Sequence, residues 1–161
     1  LNASHIFLLR YTLFMRIVLQ RISEAAVSIE GEVVGKAGKG YLLLVGCMQG
    51  DTESNAQALA EKIVKLRLFD GEDGKINDRS ILDCGGDILV VSQFTLAGRT
   101  EKGNRPDYTQ ALAPAEARVL YERFIEMLQA LGVKSVESGE FGAHMMVSLV
   151  NDGPVTLILD K

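Results

Sequence analysis

Asn151-Asp152-Gly153-Pro154-Val155-Thr156 separates two apolar runs, Met145 to Val150 before it and Val155 to Leu159 after it. Both runs have the residue types and length of buried strands. The Gly-Pro pair between them does not fit an ordinary central strand, because proline lacks the ladder N–H and is confined to strand ends and bulges. Glycine in front of it leaves the main chain without a side chain. Taken alone, such a pair is most often a tight hairpin corner. An X-Pro bond also takes the cis form at a cost of only about 0.5–1 kcal/mol. A cis peptide here would turn the carbonyls of Gly153 and Pro154 to the same side, as a main-chain pincer. The rest of the chain decides between corner and pincer.

Working outward from that stretch, the sequence reads mostly as strand. Arg16 to Arg21 alternates apolar and polar residues, Ala26 to Glu30 continues the pattern, and Glu30-Gly31-Glu32 is a turn. Val33 and Val34 form a short return strand. Tyr41 to Cys47 and Ile88 to Val91 are continuous apolar runs, the pattern of central strands covered on both faces. Ala56, Leu59, Ala60, Ile63 and Val64 recur at helical spacing after Asp51-Thr52-Glu53-Ser54, which supplies several possible N-caps, with Ser54 and Gln57 fitting a capping box. Leu66 to Phe69 leaves that helix as a strand, and Gly85-Gly86 is a turn. Pro114 opens a second helix, whose buried face is Ala117, Leu120, Tyr121, Phe124, Met127, Leu128 and Leu131 and whose stop is Gly132. Val133 to Glu137 is a further strand. The expectation is one α/β domain, mostly sheet, with two main helices covering one face.

At 161 residues the chain fits one domain, and 47% apolar residues suffice for a core. A net charge of −4 argues against a broad surface for coating nucleic acid, although a small patch can still grip one end of it. Cys47 and Cys84 are isolated, which suits a reducing compartment, and the two histidines, His5 and His144, lie too far apart for a metal site. No metal or other cofactor is expected. No apolar run is long enough to span a bilayer. Residues 1–14 read as an extension ahead of a functional start at Met15. Arg10 interrupts their apolar stretch, so they do not make a signal peptide. A cytoplasmic protein with no membrane or DNA partner is expected.

Four features carry possible chemistry. Ser92-Gln93-Phe94-Thr95 lies at a strand end, where α/β proteins form pockets. Its hydroxyls have no basic side chain nearby in sequence to activate them. Arg99, Lys102 and Arg105 alternate with Glu101 and Asp107 in a loop, either as a solvated surface or as contacts to a few phosphates. His144, between apolar neighbours, reads as a packed or surface histidine rather than a base. The fourth feature is Gly153-Pro154.

Taken together, Ser92-Gln93-Phe94-Thr95-Leu96 and Asn151-Asp152-Gly153-Pro154-Val155-Thr156 resemble the motif pair of the D-aminoacyl-tRNA deacylases. The likeness runs from Met15 to near the C-terminus and includes Gln20-Arg21, Gly103, Arg105-Pro106, Phe141 and Met145. Residues 1–14 lie outside it and 15–161 form the domain.

The resemblance implies a homodimer of three-layer β/β/α protomers, two sheets and a helical layer, acting on the 3′ end of aminoacyl-tRNA without a cofactor. It implies that the Gly153–Pro154 bond is cis and that each pincer enters the partner's site. There its carbonyls would take the substrate's α-amino group and exclude L side chains, and Arg21 would hold the pincer. Ser92, Gln93, Phe94 and Thr95 would form the catalytic pocket, lined by Phe141 and Met145. Backbone N–H groups near Phe94 and Thr95 would stabilise the oxyanion, a contribution of about 2.7–4 kcal/mol per good donor. Arg99, Lys102 and Arg105 would meet tRNA. An exclusion based on shape tolerates many D side chains and lets glycine through. His144 and the loop Asn104-Arg105-Pro106-Asp107-Tyr108 depart from the family pattern, outside both motifs. Two rival readings use the same residues: a non-catalytic binder of tRNA acceptor ends, and a general esterase with Thr95 or Ser92 as nucleophile.

Overall fold

The alternation of the first described segment is interrupted at Ser23 and Glu24, both exposed, yet the segment forms one long strand rather than two. In the computed structural model, which describes residues 14–161, β1 runs from Arg16–Ile29 with Ile17, Leu19, Ile22 and Val27 fully buried. Its first half pairs antiparallel with β3 (Gly40–Gly46) and its second half with β2 (Glu32–Ala37). β3 then pairs in parallel with β6 (Asp87–Ser92), and β6 in parallel with β7 (Val136–Ser138). The parallel pairs need long crossovers, and the helices supply them. A separate two-stranded ribbon joins β4 (Arg67–Phe69) to β5 (Arg79–Ser80).

The six-stranded sheet curls until its two ends meet. The Lys36 N–H donates to the Glu137 carboxylate at 2.7 Å, and Gly35 lies so close to β7 that a Cβ there would be 2.6 Å from the Ser138 carbonyl. Ile22, Ala25, Val27, Ala37, Leu42, Leu89 and Val91 fill the inside of the curl. The opposite face carries α1 (Glu53–Lys65) and α3 (Pro114–Ala130), which bury Ile63, Phe124 and Leu128 against Leu43, Val45 and Val90. The α/β class and the helical cover on one face are as expected. The two strand layers are formed by bending one sheet, with β1 shared between them.

Two local readings change, and two stretches left open by the sequence are resolved. Glycine 153 and proline 154 do not turn a hairpin corner. β8 (Met146–Asp160) is one strand running antiparallel to β1 along its whole length. Ile22 faces Asn151 and Gln20 faces Thr156, so residues 152–155 bulge out opposite Arg21 alone. The first helix is capped by Thr52, whose N–H donates to Asn55 Oδ1 at 2.8 Å. It starts two residues earlier than a cap at Ser54 would set, and Gln57 bonds Glu61 instead. The segment before Gly85-Gly86 is a four-residue helix, α2 (Ile81–Cys84), capped by Ser80. Finally, Val133 closes α3 through its N–H to Leu128, leaving only Val136–Ser138 as strand. Of the expected N-terminal extension, residues 1–13 lie outside the described residues, and Phe14 is half-exposed.

Candidate active site

Parallel strands β3 and β6 end side by side, and their carboxyl ends form the floor of a cavity of ≈ 620 Å³. β3 contributes Val45 and the residue after it in the wall, Cys47, and β6 contributes Val91 and Ser92. The Gln93 N–H donates to the Val45 carbonyl at 2.8 Å, after which the chain tightens into a 3₁₀ turn, Phe94–Ala97. Gly46 permits this turn to lie on the strand end, since a Cβ at that position would sit 2.9 Å from Leu96 Cβ. As the first two residues of the turn, Phe94 and Thr95 have N–H groups with no acceptor within it.

The cavity brings together Ser92, Gln93, Phe94, Phe141 and Met145, with His144 exposed on the wall. Thr95 does not line it. The Thr95 hydroxyl accepts a hydrogen bond from Gln93 Nε2 and so orients that amide. Phe141 is backed by Tyr121, ring centroids 5.8 Å apart, and by Arg118, whose guanidinium carbon lies 5.5 Å from the ring centre. Tyr121 donates its hydroxyl to the Val90 carbonyl at 2.9 Å, and burial pushes its phenol pKa up. Burial also pushes the Cys47 thiol up to about 12, so it faces the cavity protonated. Among the described residues no group of His, Cys, Asp and Glu could hold a metal ion.

The far wall was missed in the sequence. Tyr108, Thr109 and Ala111 to Pro114 line the cavity because Leu112 N–H donates to the Cys47 carbonyl at 3.0 Å and Gln49 N–H to the Gln110 carbonyl at 2.9 Å. The stretch has neither period nor motif; its one signal is an aromatic residue, Tyr108, among polar neighbours.

Gly153 and Pro154 stand elsewhere. Their peptide bond is cis, both residues are exposed, and neither lines the cavity. Asn151 Nδ2 ties the base of the bulge to the carbonyls of Arg21, at 2.9 Å, and Val155, at 3.2 Å. Arg21 is nearly buried; its Nε lies 3.1 Å from both the main-chain carbonyl and a carboxylate oxygen of Asp152, and its Nη1 donates to the Leu68 carbonyl. Arg21 faces Tyr41 across the sheet, and the cavity begins four residues further along β3, at Val45. At about 3.3 Å per residue, the bulge and the cavity of one chain are some ~13 Å or more apart along the strands. Of the basic trio, Arg99 is 3.6 Å from Glu101, while Lys102 and Arg105 are exposed beyond it.

An α/β protein with a cavity at the ends of parallel strands and an aromatic wall has the usual placement of a small-molecule site. Comparison with known proteins narrows this. A family model described as D-Tyr-tRNA(Tyr) deacylase matches residues 18–160. The D-aminoacyl-tRNA deacylase of Thermomicrobium roseum is 56% identical over 91% of this chain and 94% of its own. That of Bacillus velezensis is 54% identical over 91% and 99% respectively. A solved structure described as a c-Myc DNA unwinding element binding protein superposes with a TM-score of 0.86 at 37% identity, covering 91% of this chain and 98% of that one. The chain belongs to the D-Tyr-tRNA(Tyr) deacylase family, whose members are hydrolases acting on aminoacyl-tRNA.

Proposed function

We propose that this protein hydrolyses the ester of D-aminoacyl-tRNA, and of glycyl-tRNA, while sparing L-aminoacyl esters, in the cytoplasm and as a homodimer. The observation that carries the reading is the meeting of Ser92, Gln93, Phe94, Phe141 and Met145 around one cavity in a chain of this family. The terminal adenosine and its ester occupy that cavity, against Phe141 and Met145. The N–H group of Phe94 receives the oxyanion, Gln93 and Ser92 orient the ester, and Thr95 acts through its hydrogen bond to the Gln93 amide. An aminoacyl ester is already activated, so oriented donors and a positioned water suffice without a triad.

Gly153 and Pro154 act as the chiral selector, lent by each subunit to the other. Their exposure, their distance from their own chain's cavity and their anchoring by Arg21 and Asn151 support this. So does β8. Within the described residues it bonds only to β1, and Met146, Val150 and Ile158 stand half or more exposed on it, as suits a strand edge covered by a second copy. Lys102, Arg105 and Arg99 meet the phosphates of the acceptor end. The esterase reading gains no support from the Thr95 hydroxyl, which is engaged by an amide donor rather than by a base.

Single-turnover deacylation of D-Tyr-tRNA, Gly-tRNA and L-Tyr-tRNA tests the activity. The first two are cleaved and the third is not; equal D and L rates refute chiral selection, and no turnover leaves only the binder. Mixing Gly153→Ala chains with Gln93→Ala chains tests the exchange of selectors. Each mutant alone is impaired, and mixed dimers recover activity at the one site that joins an intact cavity to an intact selector. No recovery after subunit exchange refutes it.

A further inference from the structure

Two aromatic rings stand open at the mouth of the cavity. Phe94 is 57% and Tyr108 38% exposed, and their centroids lie 5.3 Å apart at an interplanar angle of 71°. Neither belongs to either hydrophobic cluster. The pair is nevertheless held in place. A Cβ at Gly98 would come 2.9 Å from Tyr108 Cε1, so only glycine lets that ring lie against the main chain. Arg99 and Asp107 exchange two backbone hydrogen bonds of 2.9 Å, closing the loop between them. The Asp107 carboxylate accepts the Thr109 N–H at 2.8 Å, which fixes the residues on both sides of Tyr108 and holds that carboxyl below its usual pKa. The rings thus sit at the base of a loop that carries Lys102 and Arg105, both exposed.

We propose that the Phe94–Tyr108 pair is a second nucleotide subsite, which stacks the base of the unpaired nucleotide preceding the terminal adenosine and turns its phosphate toward Lys102 and Arg105. This rests on the reading of the cavity as the site of the terminal aminoacyl-adenosine. A cavity of ≈ 620 Å³ takes one nucleoside with its ester-linked amino acid, so the next nucleotide has to leave across the mouth. Both rings line that mouth. Stacking on an aromatic face suits an unpaired base and does not read its identity. That matches a substrate end whose last nucleotides are the same in every tRNA. With a net charge of −4, the chain offers no general attraction for RNA, and a local stack with two cations supplies it where it is needed.

The test compares D-tyrosyl-adenosine, the D-tyrosyl ester of the trinucleotide C-C-A, and D-Tyr-tRNA. Wild type prefers the trinucleotide over the nucleoside in kcat/KM. Tyr108→Ala lowers that preference on the order of 10-fold, and Tyr108→Phe keeps it. A ratio of two substrates on one preparation is unaffected by a fraction of unfolded protein. In parallel, a non-hydrolysable amide-linked D-tyrosyl trinucleotide carrying 2-aminopurine in the penultimate position is quenched on binding to wild type and not to Tyr108→Ala. If wild type cleaves the nucleoside ester with no preference for the trinucleotide, or Tyr108→Ala keeps both preference and quenching, the subsite is overturned and the activity stands. If wild type cleaves none of the three, the proposed activity fails, and the quenching alone decides the subsite.

Discussion

Replacing Arg21 by Met separates the position of the pincer from the stability of the fold. Methionine keeps a flexible apolar stem of similar length and removes every donor. Three partners lose it: the Asp152 carbonyl and carboxylate, each 3.1 Å from Nε, and the Leu68 carbonyl. The Asp152 side chain is 49% exposed, so its carboxylate stays hydrated and the ion pair itself contributes little, about 0–1 kcal/mol. Hydrogen bonds to a charged group contribute about 1.5–3 kcal/mol each, and water can replace the one at exposed Asp152. The loss is therefore ~2–4 kcal/mol, within the usual stability of a domain, and the variant stays folded at 25 °C. Its effect on catalysis is larger. Residues 152–155 are then tied only by Asn151, and a displacement of about 1 Å at a positioning group costs on the order of 100-fold in rate. Arg21→Lys does little better, because one ammonium cannot serve carbonyls on two different elements as the planar fork does. Urea melts give the stability, and single-turnover cleavage of D-Tyr-tRNA the rate. A folded Arg21→Met protein with wild-type cleavage would refute the reasoning, as would a rate loss matched by the unfolded fraction.

Three further expectations are simpler. A Cβ at Gly153 meets only Asn151 Oδ1, at 3.7 Å, so Gly153→Ala leaves the urea midpoint within about 0.5 kcal/mol of wild type while cleavage of D-Tyr-tRNA falls; an unchanged rate would show that the space above Gly153 is not used. Thr95→Ala frees the Gln93 amide and lowers kcat by roughly 10-fold, with no covalent acyl-enzyme trapped by acylating probes; a loss of about 1,000-fold or a labelled Thr95 would make it the nucleophile. The Cys47 thiol is raised by burial, with a smaller push from Asp51, from 9.0 to about 12. Over that interval the unfolded thiol ionises and the folded one does not, so stability is intact below pH 9 and falls as pH rises toward 12, by up to about 1.4 kcal/mol per unit. Cys47→Ala flattens the alkaline slope of urea-melt stability; an unchanged slope would refute the shift.

The elements read well from the sequence are those whose burial follows a local period. Tyr41 to Cys47 and Ile88 to Val91 read as central strands, and β3 and β6 are the parallel pair at the centre of the sheet. All five apolar stripe residues of α1 are buried, from Ala56 to Val64. What the period hides is continuity. Ser23 and Glu24 are exposed and look like a break in β1, yet the strand passes through them with a shift of register against β8. The same blindness makes Gly153-Pro154 look like a corner. A hairpin and a bulge have the same residues on both sides, and only the pairing with β1, some 130 positions away in sequence, distinguishes them.

The candidate site divides along the same line. Ser92 to Thr95 is legible because a strand end after a buried run is where a pocket forms. Phe141 and Met145 carry no local signal and are suggested by resemblance alone. Tyr108 to Pro114 is suggested by neither, because its place depends on hydrogen bonds to Cys47 and Gln49 across the molecule. Arg21 is the instructive case. On the alternation of β1 it belongs to the buried face, with Ile17 and Leu19, and an arginine there demands acceptors. Two lie on separate elements, the Leu68 carbonyl of β4 and the Asp152 carbonyl of the bulge. A buried cation in an otherwise apolar register therefore signals that main chain from elsewhere must come to it. The sequence shows the demand, and the fold shows that what answers it is the base of the Gly153-Pro154 bulge.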